Sequence, residues 1–158
     1  MHVDNLVIPI HSDAHQLPFA DDYFDAVISV DAYQYFGYKD EYYVKYLEPI
    51  LKKDALVAIS IPGMKYEVHK NVPDEMKPYW PDEALETWHS INWWKEKFEG
   101  KLNDLQIKEM TYFDEAWQNW MSTENQYAVE DRKMLAADNG RYMNLISITG
   151  KNAKKGRI

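Results

Sequence analysis

The chain has 158 residues, is 46% hydrophobic and 15% aromatic, contains no cysteine and carries a formal net charge of −8. A chain of this length can build one globular core without disulfides or a structural metal. The missing cysteines exclude a disulfide scaffold, a thiolate metal centre and a cysteine nucleophile, and point to a reducing, cytoplasmic compartment. The acidic balance argues against nucleic acid or anionic lipid as partners and for a small molecule.

Residues Met1 to Asn5 form no basic leader and no apolar run is long enough to cross a bilayer, so neither signal peptide nor membrane span is expected. Leu6 to Ile10 is a short apolar run rich in β-branched residues and predicts a first strand, ending in His11-Ser12-Asp13. Asp25 to Asp31 and Ala55 to Ile61 are near-continuously apolar, the pattern of strands covered on both faces of a largely parallel sheet. Pro62-Gly63 is expected to stop the latter. Between them Tyr42, Tyr43, Tyr46, Leu47, Ile50 and Leu51 recur at helical spacing and predict a crossover helix over Asp40 to Lys53, kinked at Pro49.

Met64 to Pro81, punctuated by Pro73 and Pro78, reads as a loop or lid. Asp82 to Glu99 reads as an amphipathic helix broken at Ser90, which can cap a second helical piece, and ended by Gly100. Leu105 to Phe113 reads as a strand, Asp114 to Asp138 as one or two helices, and Tyr142 to Thr149 as a last strand pairing antiparallel with the previous one. The domain is expected to span residues 1–150. Lys151, Lys154, Lys155 and Arg157 read as a solvated basic tail over 151–158.

Ligands of an open α/β sheet sit beyond the carboxyl ends of its strands, which directs attention to the residues after Ile10, Val30 and Ile61. His11, Asp13 and His15 alternate, and on an extended segment they would share one face, the composition of an open metal site. His2, His69 and His89 stand apart in the sequence. Asp31 is either a carboxylate that orients a ligand or takes a proton, or a solvated loop residue. Tyr33, Tyr35 and Tyr38 lie just past a strand end as candidate substrate-lining rings, able to favour an amine or quaternary ammonium group by cation–π attraction. Core packing is the alternative for these aromatics.

Asp13-Ala14, then Leu17-Pro18-Phe19, then Phe24-Asp25 leading into a strand resemble, in that order, the class I S-adenosylmethionine-dependent methyltransferases. The downstream elements agree in order as far as Thr149-Gly150-Lys151, so the resemblance spans nearly the whole chain. It is specific for Asp13 to Val30 and architectural elsewhere. It implies an α/β, Rossmann-like fold with a mixed, mainly parallel sheet, helices on both faces and a C-terminal antiparallel strand pair. It also implies S-adenosylmethionine as cofactor and methyl transfer to a small molecule. Asp13 would then accept from the adenine amino group, the Ala14 N–H would donate to the neighbouring ring nitrogen, and His15 would lie beside them. Val30 and Asp31 would meet the methionine portion, with Asp31 the candidate catalytic residue. On this reading no metal is expected; without the resemblance, Asp13 reads as a polar turn residue.

The same resemblance exposes departures. The family's Gly-rich loop and the acidic strand after it have no counterpart, and the six glycines include no Gly-x-Gly pair. Lys52-Lys53-Asp54-Ala55 stands where relatives usually carry Lys-Pro-Gly-Gly. The chain therefore looks like the C-terminal two thirds of such a domain, truncated at the N-terminus and holding a partial cofactor site. An incomplete sheet leaves an open edge, so Leu6 to Ile10 is expected to pair directly with Asp25 to Val30 or to leave room for a strand from a second copy, giving a homodimer. The other functional reading is thus a non-catalytic domain acting through self-association or partner binding.

Overall fold

The computed structural model describes residues 6–154. Four strands, β1 (Phe24–Val30), β2 (Leu51–Met64), β3 (Leu102–Glu109) and β4 (Met143–Asn152), form one mixed sheet in the order β1-β2-β4-β3. β1 runs parallel to β2, with Val27 opposite Val57 and Val30 opposite Ser60. β4 is antiparallel to both its neighbours, and its Ile148 lies between Ile59 of β2 and Ile107 of β3. The C-terminal antiparallel pair is therefore present as the sequence predicts.

Leu6 to Ile10 is not a strand: residues 7–10 are irregular and exposed. Pro9 sits in the middle of the run and has no N–H to give to a ladder. Direct pairing with β1 does not occur, and the sheet has one parallel pairing against two antiparallel ones.

The helical elements are α1 (Gln34–Gly37), a five-residue π-helical turn over Tyr43–Leu47, α2 (Asp82–Thr87), α3 (Ile91–Phe98), α4 (Phe113–Met121) and α5 (Gln126–Asp138). The crossover helix expected over Asp40 to Lys53 is cut short, and Leu51 to Lys53 already belong to β2. Pro49 ends the helical turn rather than kinking it. The carbonyls of Pro49 and Ile50 are then free to accept from the N–H groups of Asp22, Tyr23 and Phe24 at 2.9–3.0 Å, which ties the helical turn to the start of β1. β2 also runs through Pro62 to Met64 instead of stopping. β1 ends opposite Ser60, so Pro62 falls where that flank of β2 has lost its neighbour and a missing N–H is tolerated. The break at Ser90 is where the sequence puts it, with the Ser90 hydroxyl accepting the Trp93 N–H at 3.3 Å to cap α3.

One core lies on a single face of the sheet. Alternate residues Val57, Ile59 and Ile61 of β2 and Ile146 and Ile148 of β4 pack with Trp94 and Phe98 of α3 and with Tyr33 and Tyr43. A second cluster joins Met64, Val68, Met76 and Trp80 to Met134 of α5 and Met143. The segment read as a lid is thus irregular but anchored by buried side chains. The opposite face of β1 is uncovered among the described residues: Ile28 and Val30 are 73% and 70% exposed, beside Leu56 at 48%. Helices on both faces, as expected from the apolar runs, do not describe this part of the sheet.

Lys151 and Lys154, read from the sequence as part of a solvated tail over 151–158, are tied to the folded domain. Lys151 and Asn152 are the last residues of β4, Asn152 is fully buried, and Lys151 pairs with Asp104 at 3.2 Å. The Lys154 ammonium donates to the Asp22 carboxylate and the Pro49 carbonyl, both at 2.8 Å. Lys155 and Arg157 lie outside the described residues. No helix among those residues is long and apolar enough to cross a membrane.

Candidate functional site

At the carboxyl end of β1, Asp31 turns the chain with φ 49°, a left-handed conformation that Asp adopts more readily than branched residues. Its N–H donates to the Ser60 carbonyl at 2.8 Å, extending the parallel ladder by one bond. Its carboxylate accepts from the side-chain amide of Gln34 at 2.9 Å. Gln34 is fully buried, so the orientation of an exposed carboxylate is set from inside the protein. The sequence offers no signal for that role of Gln34 beyond its place after Asp31.

The three tyrosines that follow separate into different environments. Tyr33, read from the sequence as lining a substrate pocket, is a core residue: it is 2% exposed and its ring meets Phe36, Tyr42, Trp94 and Phe98. Burial pushes its phenol far above the ordinary value. Tyr35 is exposed, and its phenol is raised by partial burial and by the carboxylates of Asp31, Glu83 and Asp131. Tyr38 is half-buried, with its hydroxyl 3.4 Å from the Glu86 carboxylate. Val30 is exposed on the open face of the sheet.

The Asp13 to His15 turn packs on the chain that follows this strand end, although no strand precedes it among the described residues. Asp13 Oδ1 accepts the His15 backbone N–H at 2.8 Å and lies 3.1 Å from the His15 ring Nδ1. The backbone bond foremost, then the ring, holds this carboxylate below its usual value. The Ala14 carbonyl accepts the Tyr42 hydroxyl at 3.0 Å. The His15 ring stands edge-on to Tyr46, Tyr42 and Phe36 at 5.1, 5.4 and 6.4 Å. Tyr42 and Phe36 in turn touch Tyr33, so one aromatic cluster carries the turn and the chain just after Asp31.

His11, Asp13 and His15 are exposed, and Asp13 pairs with His15. Among the described residues, the side chains gathered as metal ligands could be are instead Glu67, His69 and His89, whose donor atoms lie within 4.8 Å of one another. Two of these three are histidines that the sequence leaves isolated.

Residues 2–59 match a family model described as a methyltransferase domain. In structure, the chain aligns with phosphoethanolamine N-methyltransferase 2 of Haemonchus contortus, solved with S-adenosyl-L-methionine, at a TM-score of 0.66 and 17% identity. The fold is that of a methyltransferase domain. This alignment covers 90% of the chain but 36% of the Haemonchus enzyme, so the chain spans little more than a third of that relative's length. Geranyl diphosphate C-methyltransferase from Streptomyces coelicolor A3(2) shares the methyltransferase fold at a TM-score of 0.63 and 12% identity, over 89% of this chain and 50% of that one. A candidate methyltransferase from Bacillus halodurans aligns at 0.55 and 17% identity, over 96% and 79% of the two chains. No curated protein matches the chain in sequence. Asp31 and Tyr35 lie just past the carboxyl end of β1, where an open α/β sheet takes its ligands, and the aromatic cluster of Tyr42, Phe36 and Tyr33 links the Asp13 turn to that stretch of chain.

Proposed function

We propose that this chain takes part in S-adenosylmethionine-dependent methyl transfer to a small molecule. The observation that carries the reading is the docking of the Asp13 to His15 turn on the aromatic cluster beside Asp31, within the segment matched by the methyltransferase model. The residues suit the cofactor chemically. Asp13 offers a carboxylate acceptor for an adenine amino group, Ala14 an N–H for a ring nitrogen, and His15 a neighbouring ring. In this reading Val30 and Asp31 meet the methionine portion, and the Asp31 carboxylate, held by Gln34, favours a cationic sulfur beside it. The bound cofactor supplies an electrophilic methyl group. The protein's part is to position the acceptor and exclude water, with Asp31 available to take the proton that the acceptor releases.

Tyr35 and Tyr38 line the acceptor side in this reading, and Tyr33 supports them from the core. The carboxylates of Asp31, Glu83 and Asp131 around Tyr35 favour a basic acceptor such as an amine. The cysteine-free composition suits a cytoplasmic setting. Calorimetric titration with S-adenosylmethionine and, separately, S-adenosylhomocysteine tests the proposal. Saturable micromolar binding, weakened roughly tenfold by Asp13→Ala, about 1.4 kcal/mol, is expected. Absence of binding up to millimolar cofactor would overturn the cofactor reading for this chain.

A second reading rests on the uncovered sheet. The outer edge of β1, the exposed Ile28, Val30 and Leu56, and the exposed Leu6, Val7, Ile8 and Ile10 offer backbone and apolar surface for a second copy. The chain would then act by self-association without catalysis. Sedimentation at high protein concentration decides it: a dimer broken by Ile28→Lys supports this reading, and a monomer removes it.

A further inference from the structure

Glu67 and His69 follow β2, whereas His89 lies in the break between α2 and α3. Backbone contacts bring the two segments together. Met64 bridges Ser90, the Met64 N–H donates to the His89 carbonyl at 3.1 Å, and the Ser90 N–H donates to Glu67 Oε1 at 2.6 Å. Glu67 Oε2 is left facing both imidazoles, 2.7 Å from His69 Nδ1 and 3.1 Å from His89 Nδ1. The His69 and His89 side chains are 25% and 12% exposed. The His89 ring stacks between Trp93, at 3.7 Å, and His69, at 4.5 Å, which fixes its plane.

His89 Nε2 lies 3.0 Å from the Glu86 carbonyl, which only accepts, so Nε2 carries the hydrogen. With its hydrogen on Nε2, the His89 ring leaves Nδ1, 3.1 Å from Glu67 Oε2, as the atom able to ligate a metal. Both ring nitrogens of His69 are buried without a hydrogen-bond partner, although Nδ1 is near Glu67, because the alignment is wrong for one.

We propose that Glu67 Oε2, His69 Nδ1 and His89 Nδ1 bind a divalent transition-metal ion of the zinc class. Metal bonds of about 2.0–2.2 Å at tetrahedral angles place neighbouring donors roughly 3.3–3.6 Å apart, so the 2.7 and 3.1 Å contacts of Glu67 Oε2 open by several tenths of an ångström when an ion enters, with all three donor atoms already within 4.8 Å of one another. Two imidazoles and one carboxylate suit zinc better than calcium or magnesium, which prefer all-oxygen shells. The outer partners are in place: the Glu86 carbonyl sets the His89 tautomer and the Ser90 N–H orients Glu67. Three protein ligands leave a further coordination position, and an adjoining cleft of about 450 Å³, lined by Glu67, Lys65, Tyr66 and Trp93 among others, reaches the cluster from the Glu67 side. The ion would clamp the segment after β2 onto the start of α3, independently of the Asp13 site.

The test uses the untagged full chain, stripped with a chelator and titrated with Zn²⁺ against a chromophoric competitor. One equivalent bound at micromolar or tighter dissociation, with a rise in Tm, is expected. Co²⁺ in the wild-type chain should show ligand-field bands of a four- or five-coordinate site with histidine ligands, a readout that needs no variant. His69→Ala removes a ring with no hydrogen bond, so the fold should persist by circular dichroism while affinity falls at least tenfold. Glu67→Gln keeps an acceptor for Ser90 and should weaken binding similarly, whereas His15→Ala should leave it unchanged. Absence of stoichiometric binding, affinity insensitive to both His69→Ala and Glu67→Gln, or loss of binding in His15→Ala would overturn the assignment.

Discussion

The Tyr42 hydroxyl donates to the Ala14 carbonyl at 3.0 Å and so fastens the exposed Asp13 turn to the aromatic core. Tyr42→Phe keeps the ring and removes this bond. The expected cost is about 1 kcal/mol of stability, with faster amide exchange at His15 and Gln16, measured by urea unfolding and hydrogen exchange. Burial, with Asp13 and Tyr46 adding, pushes the Tyr42 phenol up from 10.0 to about 12. A folded-state pKa above the unfolded one means stability that is complete below pH 10 and lost as pH rises from 10 toward about 12. The difference in stability between wild type and Tyr42→Phe should shrink across that window.

Gly37 lies against the ring of Tyr33, and a Cβ there would overlap it. The ring has nowhere to go, because Trp94, Phe98 and Tyr42 surround it. Gly37→Ala should therefore destabilise the protein by about 1–3 kcal/mol, read as a lower urea midpoint.

Asn152 is fully buried and joins distant segments, accepting the Tyr43 hydroxyl at 2.9 Å and donating to the Lys52 carbonyl at 3.1 Å. Asn152→Ala leaves both groups without a partner in the interior and should cost about 1–3 kcal/mol. Lys151→Ala, which removes only an exposed pair with Asp104, should cost less than about 1 kcal/mol. Equal thermal stabilities for the two variants would refute this account of the end of β4.

Asp31 combines a backbone role and a charge, and two substitutions separate them. Asp31→Asn keeps the left-handed turn and the acceptor for Gln34, so unfolding should shift by less than about 0.5 kcal/mol. Asp31→Ala should cost about 1 kcal/mol or more through the backbone alone. Under the proposed function, Asp31→Asn should still lower cofactor affinity or methyl transfer at least tenfold; wild-type values in a folded variant would confine Asp31 to the turn.

Local chemistry was readable from the sequence. The apolar runs of β1, β2 and β4 and the cap at Ser90 depend on residues within a few positions of one another. The Asp13 to Val30 string likewise carries the methyltransferase resemblance in its residue order alone. Prolines were harder to weigh, because their effect depends on neighbours in space. Pro9 accompanies the loss of the expected Leu6 to Ile10 strand and Pro49 ends a helix, yet Pro62 sits inside β2 where that strand's flank is open.

Tertiary structure alone decided which faces were buried and which distant groups met. Tyr33 and Tyr35 look alike in sequence, but the turn after Asp31 sends the first into the core and the second to solvent. The β1 and β2 runs are apolar enough for two covered faces, and only the arrangement of helices shows that, among the described residues, one face of β1 is open. His69 and His89 stand far apart along the chain and become neighbours because Met64 bridges Ser90. Residue order determines hydrogen-bonding capacity and periodicity; the proximity of lone pairs from separate segments arises only when backbone pairing brings those segments together.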